Sequence, residues 1–221
     1  MPGSTFILAI DGPAGAGKSS IAGAVARRLG MTRVDTGAIY RSLTLLSLER
    51  GLTDGEIPAL LTDLDLRFEG DRVFIGAREV TAAIRTAEVS EETSRVSALP
   101  AVRAGLLELQ RRLGREAAGG AVMEGRDIGT VVFPDADVKV YLTASAEERA
   151  RRRLLDLEGA GTHPKFEEVL ASIQARDDND RHRAHAPLRQ PEDAVRVDST
   201  GKTPEQVVDE IVALVEVARA R

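Results

Sequence analysis

The sequence contains no cysteine. Disulfides, zinc–thiolate sites, iron–sulfur clusters and thiol catalysis are thereby excluded. Tryptophan is also absent and aromatic residues make up only 3%, which removes the stacking platforms that single-stranded nucleic-acid binders use. The three histidines, His163, His182 and His185, argue against a metal site built on imidazole. No run of about 18 apolar residues is present to span a bilayer. Met1 to Asp11 lacks the basic n-region of a signal peptide. The expectation is a cytoplasmic protein with no membrane partner. A net charge of −5 gives no overall trap for a polyanion, so no nucleic-acid partner is expected. Lysine is scarce as well: Lys18, Lys139, Lys165 and Lys202 are the only four among 30 basic residues. Genomic base composition produces such a bias. So does repeated bidentate phosphate recognition, which suits the planar fork of arginine.

Apolar residues, by contrast, make up 43% of 221 positions, enough for one large domain or one domain carrying an insertion. Phe6 to Ile10 is a continuous apolar run ending at Asp11-Gly12, the mark of a buried parallel strand. A glycine-rich turn follows. Ile21, Val25 and Leu29 then recur every fourth residue, predicting a helix closed by Gly30. Val34-Asp35 ends a second strand, and Gly37 to Leu48 reads as its helix. Thr53 to Glu56 has capping-box spacing and predicts another helix. From Leu64 the period changes: Leu64, Leu66 and Phe68 alternate with charged residues, and Val73-Phe74-Ile75 and Val80 come after them. This predicts a small antiparallel insertion over about residues 60–88. Residues 88–116 return to helical period, broken at Pro100. Further strands are predicted at 121–123, 138–142 and 194–198, with capping boxes at Ser145–Glu148 and Thr203–Gln206 opening helices. Gly159 and Gly161, with Pro164, form a flexible break before a helix from Phe166 to about Arg183. The fold class is therefore α/β: a doubly wound, five-stranded parallel sheet.

Gly12-Pro13-Ala14-Gly15-Ala16-Gly17-Lys18-Ser19 fits the P-loop pattern G-x-x-x-x-G-K-[ST] between a buried strand and an amphipathic helix. Its inward amides, with Ser20 beside them, would cradle the phosphates of ATP. Lys18 would reach the β- and γ-phosphates and Ser19 would coordinate Mg²⁺. A dinucleotide fingerprint fails because Ser20 stands where its third glycine belongs. A GTPase needs an Asn-Lys-x-Asp segment, and the only asparagine, Asn179, is not followed by lysine.

Several arginines complete the pattern. Arg41 lies one turn into the second helix, after Thr36-Gly37. Glu124-Gly125-Arg126-Asp127 stands at the carboxyl end of a core strand, where open α/β sheets bind ligands. Arg149, Arg152 and Arg153 share a helical face, as do Arg176, Asp180 and Arg183. Each could be a solvated salt-bridged face. As a set beside a P-loop they suit phosphoryl transfer between two anions.

Over nearly the whole chain the sequence resembles the bacterial cytidylate kinases. The motifs that carry the resemblance are Ile10–Ser19, Asp35–Arg41, Ile84–Val89, Gly125–Asp135, Arg176–Arg183 with Ala186–Leu188, and Asp198–Thr200. The resemblance implies a single P-loop kinase domain over 1–221, with an NMP-binding insertion and a helical LID near 149–166. It implies phosphorylation of CMP and dCMP by ATP with Mg²⁺, by a monomer. Arg41 and Arg126 would hold the CMP phosphate beside Thr36. Ser94, Arg103, Asp127 and Arg183 would face the cytosine, and Arg176 and Asp180 the ribose. Lys18, Arg126, Arg149 and Arg153 would be the catalytic cations, the last two closing with the LID. The chain departs from the pattern at Thr36, where some relatives carry serine. It departs again at Glu124, where some carry aspartate, which changes that carboxylate's reach toward Mg²⁺-bound water.

Overall fold

The computed structural model describes residues 5–159, 161–183 and 185–220. Strand β1 (Ile7–Asp11) leads through the glycine-rich turn into α1 (Lys18–Leu29), and β2 (Thr32–Asp35) runs straight into α2 (Thr36–Glu49). A 3-10 segment at Ile57–Asp63 precedes the short strands β3 (Leu66–Glu69), β4 (Arg72–Ile75) and β5 (Arg78–Glu79). Helices α3 (Ala87–Val96) and α4 (Pro100–Arg115) lead to β6 (Ala121–Gly125) and a single π-helical turn (Ile128–Val132). Strand β7 (Val138–Thr143), helices α5 (Ala146–Gly159) and α6 (Phe166–His182), strand β8 (Val195–Asp198) and α7 (Pro204–Arg219) complete the chain.

The five long-range strands pair in parallel in the order β2-β6-β1-β7-β8. Both faces of this sheet are covered, which is why β1 is apolar at every position of Ile7–Ile10 rather than at alternate ones. Leu8 and Ile10 point toward α1 and α7, meeting Ile21, Val25, Val207, Ile211 and Val215. Ile7 and Ala9 point the other way, toward Met123, Val132 and Phe133, with Leu107 and Leu113 of α4 against them. The predicted antiparallel patch forms as β3-β4-β5 and packs Val73 and Val80 against Ala38 and Leu45 of α2. Helices α5 and α6 pair through Ala150, Val169 and Ile173.

Local signals are met in most places. Gly30 adopts the left-handed conformation and closes α1. Thr203 and Gln206 form a reciprocal capping box, with Pro204 in the first turn. Pro100 likewise opens α4. Two boxes behave differently. The Glu56 carboxylate accepts from the Thr53 amide and hydroxyl, but the chain then enters a 3-10 segment rather than the expected α-helix. At Ser145 only half of the box forms: its hydroxyl accepts from the Glu148 amide, while its own amide donates to Thr200 Oγ1. Met1–Ser4 of the N-terminal segment, and Ala160 in the expected hinge, lie outside the described residues.

The strand order reverses at β1, so the turns after β1 and β6 meet in the crevice where such sheets hold ligands. One buried carboxylate fixes their relation. Asp11, the last residue of β1, accepts from the amides of Ile128 and Gly129 at 2.8 and 2.7 Å. It thereby ties the end of β1 to the turn that follows Arg126 and Asp127. Burial raises its pKa from the usual 3.8 to about 6, although the two amides favour the carboxylate. The folded protein therefore holds this proton more tightly than the unfolded chain. The associated stability is fully present below about pH 3.8 and is lost as pH rises through about 6. Asp11→Asn does not titrate. The stability of the unaltered protein relative to that variant should fall by on the order of 3 kcal/mol between pH 4 and 7. Urea unfolding across that range reads this directly, and a pH-independent difference would contradict it.

Candidate active site

The strand register lines up the acidic ends of three strands. Asp35 of β2 pairs with Glu124 of β6, which pairs with Ile10 of β1. Asp11 is the next residue along. All three carboxylates are buried. Cations and amides therefore converge on this edge, because an uncompensated buried charge is costly.

The P-loop occupies the β1–α1 turn. Gly12 has no space for a side chain, since a Cβ there would lie 1.9 Å from the Leu142 carbonyl oxygen. Gly15 and Gly17 have positive φ, 74° and 88°, a conformation that glycine adopts without steric cost. Pro13, Ala14 and Ala16 are buried beneath the loop. The Lys18 ammonium is buried and donates to the Gly12 and Pro13 carbonyls at 2.7 Å each. Burial lowers its pKa well below the usual value, and Arg126 and Arg176 depress it further. The arginine cluster and the P-loop thus share one electrostatic site. Ser19 donates its hydroxyl to Glu124 Oε2 at 2.8 Å, and Ser20 is exposed. Burial and the neighbouring Asp35 raise the Glu124 pKa.

Across from the loop the predicted residues gather around two carboxylates. Arg126 donates through Nε to Asp180 Oδ2 at 2.7 Å. Arg103 pairs with Asp127 and donates to the Ser97 carbonyl, its guanidinium lying over the Tyr40 ring. Arg183 approaches both Asp127 and Asp180, at 3.7 and 3.9 Å, and donates to the Ala186 carbonyl. Arg41 pairs with Asp35 at 2.9 Å. Arg176 forms no ion pair among the described residues; burial first, then Arg126, Arg41 and Arg153, lower its pKa to about 10. Thr36 is buried with its hydroxyl committed to the Glu124 carbonyl at 2.7 Å. Ser94 is half-buried on α3, beside Thr93, which bonds across to Thr44 of α2.

The arginines of α5 separate by environment. Arg153 is exposed. Arg149 is not: it is 4% exposed, donates to the carbonyls of Ala14 and Ala144, and pairs with the buried Asp177 at 2.7 Å. In this conformation it fastens α5 and α6 to the P-loop. Arg152, which the sequence placed on the face of Arg149 and Arg153 without a ligand of its own, bonds the side chain and carbonyl of Ser199. Asp11, Asp35 and Arg33 were also missed as site components. For Asp11 and Asp35 a signal existed, since each is an acid closing a strand at a glycine-containing turn.

The comparisons with known proteins agree with this geometry. The family model described as Cytidylate kinase matches residues 8–217. A cytidylate kinase of Geobacter sulfurreducens is 47% identical, covering 95% of this chain and 92% of that protein. One of Limosilactobacillus fermentum is 49% identical, covering 95% of each. A bifunctional pantoate ligase/cytidylate kinase of Synechococcus is 50% identical over 94% of this chain and 42% of its own length. Among solved structures, a gluconokinase of Sinorhizobium meliloti superposes with a TM-score of 0.51 at 15% identity, over 98% of this chain and 95% of that one; at that identity the likeness shows the fold alone. With the P-loop, the arginine-ringed carboxylates and these relatives together, the chain belongs to the cytidylate kinase family, P-loop enzymes that phosphorylate CMP.

Proposed function

We propose that the protein transfers the γ-phosphoryl group of Mg²⁺·ATP directly to the phosphate of CMP or dCMP, giving ADP and CDP or dCDP in the cytoplasm. The observation that carries this reading is the shortage of counter-charge around Arg176. A half-buried guanidinium with three further arginines bearing on it, only Asp180 opposing them and no ion pair among the described residues, leaves this pocket in need of an anion, which a nucleotide brings with its ribose against Arg176 and its phosphate against Arg41 and Arg126. No side chain need act as nucleophile, because an oxygen of the acceptor phosphate attacks phosphorus while the bond to the ADP oxygen breaks. Catalysis is then alignment plus charge neutralisation.

Lys18 and the P-loop amides hold the ATP phosphates. To do so Lys18 exchanges its two carbonyl partners for phosphate oxygens. The donor set beside it suits Mg²⁺: a serine hydroxyl and a carboxylate are hard oxygen ligands, and the metal commonly takes its remaining positions from phosphates and water. No larger cluster of acids or histidines able to hold a metal occurs among the described residues, so Ser19, with Glu124 behind it, would hold the ion. When bound, Mg²⁺ supplies charge for the transferring phosphoryl. On the acceptor side, Arg41 and Arg126 hold the CMP phosphate near Thr36. Arg176 and Asp180 contact the ribose, and Ser94, Arg103, Asp127 and Arg183 face the base. The 60–88 insertion walls the acceptor site, and the 149–166 segment is the LID, with Arg153 as its exposed cation. A monomer contains every one of these groups.

An ADP-release assay with ATP and each ribo- and deoxyribonucleoside monophosphate tests this reading. CMP and dCMP should turn over fastest; equal rates with AMP or GMP would overturn it. Replacing Lys18 with alanine should lower kcat at least ~10²-fold, the scale of a lost electrostatic stabiliser. A near-normal rate in that variant would remove the P-loop from the chemistry.

Base choice rests on Asp127. Cytosine presents an amino donor at C4, where uracil presents a carbonyl acceptor. A carboxylate therefore accepts from the first and repels the second. Arg103 already holds one oxygen of Asp127, which fixes the direction in which the carboxylate faces. An unpaired buried acceptor costs about 1–3 kcal/mol, or roughly ten- to a hundred-fold in discrimination. Asp127→Asn should narrow the CMP/UMP ratio of kcat/KM, chiefly by harming CMP. An unchanged ratio with both rates lowered would instead make Asp127 a buttress for its arginines.

A further inference from the structure

Arg33 has no role in the phosphoryl transfer derived so far, yet its guanidinium meets carboxylates from three parts of the chain. Nε and Nη2 donate to Glu124 Oε1 at 2.8 and 2.7 Å. Nη1 pairs with Asp71 Oδ1 at 2.6 Å, and Nη2 lies 3.5 Å from Asp35 Oδ2. The side chain is only 13% exposed. Burial opposes its charge, but Glu124, Asp35 and Asp71 together hold its pKa above the usual arginine value.

The partners matter more than the count. Glu124 gives Oε1 to Arg33 and Oε2 to Ser19 of the P-loop. Asp35 Oδ2 is shared with Arg41 on the acceptor side. Asp71 sits in the turn between β3 and β4, 65% exposed. One guanidinium therefore joins the insertion hairpin to the carboxylate behind Ser19 and, through Asp35, to Arg41.

Two adjacent buried carboxylates, Asp35 and Glu124, need positive charge between them. Arg33 supplies it. A divalent metal at Ser19 brings further positive charge to the same acid, so the two cations compete for Glu124 and repel one another. Asp71 acts in the opposite sense, drawing part of the Arg33 charge toward the hairpin. We propose that Arg33 is a positioning residue that occupies Glu124 Oε1 and limits how tightly the metal–nucleotide complex is held, with Asp71 adjusting that limit from the insertion. This rests on the proposed placement of Mg²⁺ at Ser19 and Glu124.

The test is calorimetric binding of ADP with and without Mg²⁺, on the full chain. The quantity read is the metal enhancement, Kd of ADP alone divided by Kd with saturating Mg²⁺. Arg33→Met should raise the enhancement at least ~5-fold, as removal of a nearby like charge requires at an effective dielectric near 20. Arg33→Lys, which keeps the charge, should stay within about twofold of the unaltered protein. Asp71→Asn should lower the enhancement by roughly twofold, because its exposed partner is partly screened. A purely structural Arg33 would weaken ADP binding equally with and without metal, leaving the ratio unmoved, and that result overturns the proposal. So does a shift in the same direction for Arg33→Met and Asp71→Asn. Should Arg33→Met fail to fold, the exposed Asp71→Asn still decides, since an unchanged or raised enhancement refutes the coupling. Glu124→Gln separates the two readings. If it leaves the enhancement at its original value, the metal placement is wrong. If it reduces the enhancement while Arg33 and Asp71 variants do not move it, only the present inference fails.

Discussion

The working edge of this protein is governed by the expense of burying charge. Parallel strands covered on both faces end in a crevice, and the sequence places Asp11, Asp35 and Glu124 at three of those ends. Each acid must find a partner there. Asp11 takes backbone amides, Asp35 takes an amide and Arg41, and Glu124 takes Ser19 and Arg33. Those obligations hold the P-loop, the start of α2 and the turn after β6 in fixed relation. The arginines further out are arranged around a different shortage. Among the described residues, Asp127 and Asp180 together pair with Arg103, Arg126 and Arg183, and Arg176, which feels Asp180 only at longer range, forms no ion pair. In the function proposed above, the phosphate of the nucleotide makes up the difference for the cluster as a whole, so the substrate would complete an electrostatic balance that the fold leaves open.

Much of this was legible in the sequence, because it is encoded locally. The apolar run Phe6–Ile10, the glycine-rich turn and the four-residue spacing of α1 gave strand, loop and helix in their correct order. The change of period at Leu64 marked the antiparallel sheet, since alternation with charge suits a sheet exposed on one face. Legibility ended where partners are remote. Helical arithmetic put Arg149, Arg152 and Arg153 on one face, but it could not say that the P-loop carbonyl of Ala14 and the carboxylate of Asp177 wait at one end of that face and solvent at the other. Arg33 was invisible for the same reason. It lies in a short strand, and its partners are 38 and 91 residues away.

The Thr53–Glu56 box shows a further limit. The Glu56 carboxylate accepts from the Thr53 amide as the spacing predicts, but the Thr53 hydroxyl donates to that carboxylate instead of accepting from the Glu56 amide, and the segment continues as a 3-10 turn with Pro58 in its first positions. A cap supplies an N-terminus without dictating what propagates from it. Tertiary packing decides, here through Ile57 and Leu60 against Ile39 and Leu43 of α2.

The buried Arg149–Asp177 pair sets a mechanical condition on α5. Anchored at both the P-loop and α6, residue 149 is a fulcrum, and the rest of the helix is its lever arm. Ten residues on, Gly159 stands about 15 Å from that point, while Arg153 stands only about 6 Å away. A swing of roughly 20° carries the far end through some 5 Å but Arg153 through about 2 Å. If α5 closes as the proposed LID, Arg153 would thus make a short, well-defined stroke while the tip sweeps more widely. Gearing of this kind would separate the two demands on such a LID, precision at the phosphoryl group and clearance at the mouth.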